Sequence, residues 1–179
     1  MTRKEEFDKN YGWQKLYFPQ IYEIIKNNIT FIIKVEPSSL IEDMKDGFDF
    51  VVNIEGGNKI AVRLRRQDCC PYRDFTIRSH VPSGKETELQ KIKKNDVDYY
   101  LYGWVKDNII TEYVFLNINS MRKDGIFERS YIELCNNDDT RFIIIPLNIL
   151  SKYIIINKNV NIEKIYKHKS LLDVLCKKT

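Results

Sequence analysis

The chain has 179 residues, 43% of them hydrophobic, a size that suits one compact domain or one domain with a small appendage. Charged residues make up 30%, with both signs interspersed, which excludes a disordered composition. The net charge of +4 excludes a strongly acidic DNA mimic and is weak for a dedicated DNA-coating protein, although a local basic patch would still suffice to hold nucleic acid.

Residues 4–28 read as helical, with Leu16, Ile21, Ile24 and Ile25 at helical spacing and Pro19 either kinking the segment or starting a second helix. Residues 30–35 read as a strand. GFDFVVNIEGGNKIAVRLRR then gives a hairpin around a three-residue loop, Gly56-Gly57-Asn58. The expected register sets Ile54 opposite Ile60, Val52 opposite Val62 and Phe50 opposite Leu64, so that every apolar residue meets an apolar partner. On the other face Asp49 falls opposite Arg65, beside Arg63. Arg66 falls on the apolar side, at the strand end, where its stem reaches solvent.

FTIRS, residues 75–79, is a further strand expected beside IAVRLRR. SGKETELQKIKKN follows as a helix with a Ser83/Glu86 capping box and Lys91, Lys93 and Lys94 at its C-terminal end. Residues 98–106 and 110–118 read as two strands around Asp107-Asn108. Residues 140–145 and 153–157 read as further apolar strands, or as one strand and a helix edge, interrupted by Pro146, and the tail from 161 reads as a short helix. The fold expected is α/β (α+β): a mixed central sheet flanked by helices, in a single domain over 1–179.

Chemistry has few places to sit. Cys69, Cys70, Cys135 and Cys176 lack zinc-ligand spacing, and His80 and His168 are isolated. Reduced thiols fit a cytoplasmic protein. No apolar run is long enough to cross a bilayer, and the start MTRKEEFDKNYGW lacks a signal-peptide core. The strongest constellation is Asp49, Arg63, Arg65 and Arg78. Guanidinium forks match phosphate oxygens, so one reading is an anion site; the other is a structural ion-pair network neutralised by Asp49 and Asp74. Gly84-Lys85 at a helix start is a second phosphate candidate, though the spacing is not that of a Walker A loop. Nucleic-acid contacts are therefore expected from Arg63, Arg65, Arg78, Lys85 and Lys91. The aromatic run Tyr99, Tyr100, Tyr102 and Trp104 reads as core packing. Asp49, Glu23, Asp74 and Glu88 are the carboxylates available for a metal, but no metal site and no cofactor is expected from the spacing.

Two resemblances add to this. A helix, a hairpin entered at an Asp, a strand with paired charges, then a helix and a strand resemble the PD-(D/E)xK nuclease superfamily over about residues 12–122, with 123–179 as a C-terminal extension. The matching positions are Asp49 and the triplet Arg63-Leu64-Arg65. Arg65 stands in for the lysine, while Arg63 occupies the acidic position. A divalent cation wants at least two anionic oxygens there, so the resemblance implies a degenerate site. Its alternative is a Mg²⁺- or Mn²⁺-dependent nuclease with Asp49 as catalytic ligand. Second, FPQIYEII, FDFVV, IAVRLRR, FTIRS, SGKETELQKI and DYYLYGW resemble a family of small phage and prophage proteins, which implies a mobile-element origin rather than a reaction. The partners expected are nucleic acid, or a host CRISPR effector with its guide, such as Cas9, in an anti-CRISPR role. No membrane partner and no small-molecule cofactor are expected.

Overall fold

The computed structural model describes residues 16–28, 50–53, 58–67 and 72–163. The elements in chain order are α1 (Phe18–Asn28), β1 (Phe50–Asn53), β2 (Lys59–Arg66), β3 (Asp74–His80), α2 (Glu88–Lys93), β4 (Tyr99–Lys106), β5 (Ile109–Asn117), α3 (Ile118–Lys123), β6 (Ile132–Cys135), β7 (Arg141–Pro146) and β8 (Ile154–Lys158). Short 3₁₀ turns occupy Ile126–Glu128 and Leu147–Tyr153. Among the described residues two sheets form rather than the single expected one: a five-stranded sheet in the order β1-β2-β4-β5-β8, and a three-stranded sheet in the order β3-β7-β6. No helix among the described residues is long and apolar enough to cross a membrane.

The alternation in β2 decides the layering. Ile60, Val62 and Leu64 face α1, where they bury with Tyr17, Ile21, Ile25, Leu101, Val105 and Phe115. Each such aliphatic side chain is worth about 1.5–3 kcal/mol on burial. Pro19 sits in the first turn of α1, where its missing N–H costs nothing, so the helix starts there. The opposite face of the same sheet presents Ala61, Tyr100, Tyr102, Trp104, Val114 and Leu116 to Phe75, Ile77, Ile143 and Ile145 of the second sheet. The aromatic run is core, as its alternation implies. Phe75 meets Tyr100 and Tyr102 edge-on at 5.0 and 5.3 Å, and Tyr99 stacks on Phe115.

β4 is buried on both faces and pairs with β2 in parallel. Leu64 lies opposite Gly103, and a Cβ at Gly103 would come to 3.0 Å from Leu64 Cδ2, so a larger residue there makes the Leu64 side chain give by a few tenths of an ångström. β4 and β5 join through Asp107 and Asn108, both in the left-handed region at φ 50° and 61°, the two-residue turn that suits twisted strands. The strands expected at 98–106 and 110–118 are thus present, except that the second ends at Asn117, whose side chain caps α3 by accepting from Ser120 N. The apolar strands at 140–145 and 153–157 are β7 and β8, and they enter different sheets.

Three expectations are corrected. β1 pairs with β2 two residues out of the expected register, Phe50 opposite Val62 and Val52 opposite Ile60. An even slip leaves the two faces of β2 unchanged, so the alternating pattern alone does not choose between these registers. β3 does not lie beside β2; it pairs with β7 and packs across the sheet interface. The second helix begins at Glu88, not after Ser83. Its capping box is Thr87/Gln90, both bonds present, while Gly84 at φ +69° is incompatible with a helix there. The helix expected over 4–15, the strand at 30–35, Asp49, Cys69, Cys70 and the tail helix beyond 163 lie outside the described residues.

Candidate anion-binding cleft

The three arginines of β2 have two different fates. Arg63 is 8% exposed. Its Nη2 pairs with Glu88 Oε1 at 2.8 Å, and its Nη1 donates to Thr76 O at 3.3 Å. The other Glu88 oxygen accepts from Arg78 N at 2.8 Å. Thr76 O and Arg78 N belong to residues two apart and so point to the same side of β3, away from β7. The ion pair therefore satisfies backbone groups that a neighbouring strand would otherwise bond. Arg65 is half-buried; its Nε donates to the Tyr102 hydroxyl at 2.9 Å and its Nη2 to Thr76 Oγ1. Thr76 Oγ1 in turn lies 2.8 Å from the same hydroxyl. This is the structural-network reading of the arginine face, but its carboxylate is Glu88 from α2.

The other residues singled out in the sequence scatter. Arg78 is half-buried on β3, Lys85 is exposed in the loop before α2, and Lys91 is 4% exposed within the fold. Glu23 is exposed on α1, and Asp74 is buried at the start of β3. Among the described residues no three His, Cys, Asp or Glu side chains stand close enough to share a metal ion.

Arg66 continues β2 to the sheet's end, where the surface opens. A cleft of 610 Å³, a volume that suits a small ligand, is lined by Tyr17, Arg66, Gln67, Val105, Lys106, Asp107 and Asn108. It lies at the carboxyl ends of the parallel neighbours β2 and β4, the end at which open α/β sheets take their ligands. Arg66 faces Val105 across the ladder, next to Lys106, and adjacent strands are only about 4.8 Å apart. Val105 shares the face of Arg66 and Lys106 leaves β4 on the other, so the two cations line the cleft from opposite sides of the sheet's end. Among the described lining residues they stand against one carboxylate, Asp107.

The walls are held by directed bonds. The Tyr17 hydroxyl donates to Asn108 Oδ1 at 3.2 Å, which leaves the Asn108 amide NH₂ as a donor at the cleft. Gln67 Nε2 donates to Glu112 Oε1 at 2.7 Å. Arg73 grips the same carboxylate with Nε at 2.5 Å and Nη2 at 2.9 Å, while its guanidinium lies 5.2 Å from the Trp104 ring centre. That bidentate grip, with Arg73 8% exposed, neutralises Glu112 and keeps its charge from opposing an anion nearby. Guanidinium, ammonium and carboxamide donors together suit a ligand built of acceptor oxygens.

Sequence reasoning passed over Lys106, Gln67, Tyr17 and Asn108, because the parallel pairing of β2 with β4 and the contact of the α1 segment with the β4–β5 turn bring them together. No family model, curated protein or solved structure matches the chain.

Proposed function

We propose that this protein binds nucleic acid, alone or in a nucleoprotein, through the sugar–phosphate backbone and at the carboxyl-end cleft rather than on the arginine face of β2. The observation that carries this reading is that Arg66 and Lys106, at the ends of two parallel strands, line one cleft together with Asn108. In the same reading, the β1–β2 hairpin, α2 and β4 are a nuclease-like core of PD-(D/E)xK type whose third strand has moved to a second sheet. Its acid position is held by Arg63, engaged with Glu88. The mobile-element resemblance extends the proposal to counter-defence, with a guide-bound CRISPR effector such as Cas9 as the nucleoprotein. The nuclease alternative has no observation in its favour among the described residues.

Fluorescence anisotropy with labelled single-stranded and duplex oligonucleotides tests this. The wild type should bind at low salt, and Arg66→Glu/Lys106→Glu should lower the affinity at least tenfold and flatten the salt slope by about two. Absence of wild-type binding at about 20–50 mM salt sinks the nucleic-acid reading. Unimpaired Cas9 cleavage in the presence of excess protein sinks the effector version.

A further inference from the structure

One side chain ties the cleft to α1 through both ends of its amide. Gln20 Nε2 donates to Asn108 O at 3.0 Å, and Gln20 Oε1 accepts from Ile110 N at 2.9 Å. The amide thus bonds to the turn as a backbone peptide group would, one donor and one acceptor. The site it grips is irregular. The β4–β5 register shifts between Trp104 and Val105, so that Val105 faces Ile110 while Trp104 faces Glu112, and Thr111 is the extra residue. A bulge of this kind re-aims the neighbouring residues. One turn of helix away, Tyr17, 1% exposed, holds the Asn108 side chain. Asn108 is therefore fixed at its backbone by Gln20 and at its carboxamide by Tyr17, and both fixings come from the α1 segment.

We infer that Gln20 is a positioning residue of the cleft: by bonding both Asn108 O and Ile110 N it aims the Asn108 amide at the bound anion, so phosphate binding and the docking of α1 are coupled. The inference rests on the nucleic-acid reading. The ligand itself does not touch Gln20. Its contribution reaches the phosphate through Asn108, and its size is that of one aimed hydrogen bond, about fivefold in affinity.

The substitution Gln20→Glu keeps the shape and makes the donor titratable. Ionised, the introduced carboxylate accepts from Ile110 N and opposes Asn108 O; protonated, it restores donor and acceptor together. The experiment measures binding of fluorescein-labelled dT12 to the full chain between about pH 4.5 and 8, for wild type, Gln20→Ala and Gln20→Glu, and follows hydrogen exchange at the Ile110 amide. Gln20→Ala should bind about fivefold more weakly at every pH. Gln20→Glu should be weakened at neutral pH and recover relative to wild type as the pH falls. In the wild type dT12 should slow exchange at Ile110. If Gln20→Ala binds like the wild type while only Gln20→Glu is weakened, charge alone acts and the positioning role is overturned. A lower Tm for Gln20→Ala with unchanged affinity overturns it too, as does Ile110 exchange that dT12 leaves unaltered. If the wild type binds neither dT12 nor a duplex of the same length, the nucleic-acid reading falls and takes the inference with it; if it binds only the duplex, the same variants are read with the duplex as probe.

Discussion

Arg63 and Arg66 lie three residues apart on one strand and live in different worlds. Arg63 is enclosed between two sheets, committed to Glu88 and to a backbone carbonyl. Arg66 is half-buried at the strand end and lines an open cleft with Lys106. The same guanidinium is a structural strut in one place and lines an open cleft in the other. What separates them is first the face of β2: alternation turns Arg63 with Ala61 toward the second sheet and Arg66 to the side of Val62 and Leu64, at the strand's end. A basic strand is thus not by itself a nucleic-acid face.

That contrast can be broken most severely at Glu88. Glu88→Ala would leave Arg63 buried without its carboxylate and Arg78 N without its acceptor, and should cost about 3–5 kcal/mol in urea unfolding. Its affinity for dT12, corrected for the folded fraction, should stay within twofold. A stability loss under about 1 kcal/mol would mean that the arginine face is far more open to water than its 8% exposure implies. A paired substitution sharpens the contrast. Arg65→Met should lower stability by about 1–2 kcal/mol through the lost bonds to Tyr102 and Thr76, with little change in binding. Arg66→Met should do the reverse. The comparison collapses if both variants move the same observable.

The smallest effect is expected far from both arginines. Asp124 accepts from Lys152 Nζ at 2.6 Å and from the Tyr153 hydroxyl at 2.7 Å, and these bonds hold its carboxyl below the ordinary range. With the folded value below the unfolded one, the contribution is present above the ordinary carboxylate pKa of about 3.9 and is lost as pH falls through the lowered value. The group is exposed and solvent screens it, so thermal melts of Asp124→Asn should differ slightly from wild type at pH 6 and converge with it in acid.

Much of β2 was legible because its aliphatics alternate: Ile60, Val62 and Leu64 had to share a face, and they do. Tyr100, Tyr102 and Trp104 were legible as core for the same reason. The hairpin register was not, since a slip of two residues satisfies the same pattern. Nor was the place of β3, because the short run Asp74–His80 pairs with β7, more than sixty residues away. The start of α2 was ambiguous between Ser83 and Thr87, each followed three residues later by Glu or Gln, and Gly84 settles it through its backbone angle. Of the candidate site, the arginines were visible and their partner was misassigned. Glu88 had been singled out as a possible metal ligand, and nothing local in the sequence says that it reaches across to Arg63. The cleft needed the parallel pairing, which local sequence does not encode.

The two sheets also draw on the chain in alternation. The first uses β1, β2, β4, β5 and β8; the second uses β3, then β6 and β7. Neither is a contiguous stretch, so a cut almost anywhere between β3 and β7 divides both. Long chain closures must precede the rewarding contacts, above all the joining of β8 to β5 after the second sheet has been visited. The expected result is slow, all-or-none assembly in which no half of the chain holds a complete native sheet, and fragments complement one another only when mixed.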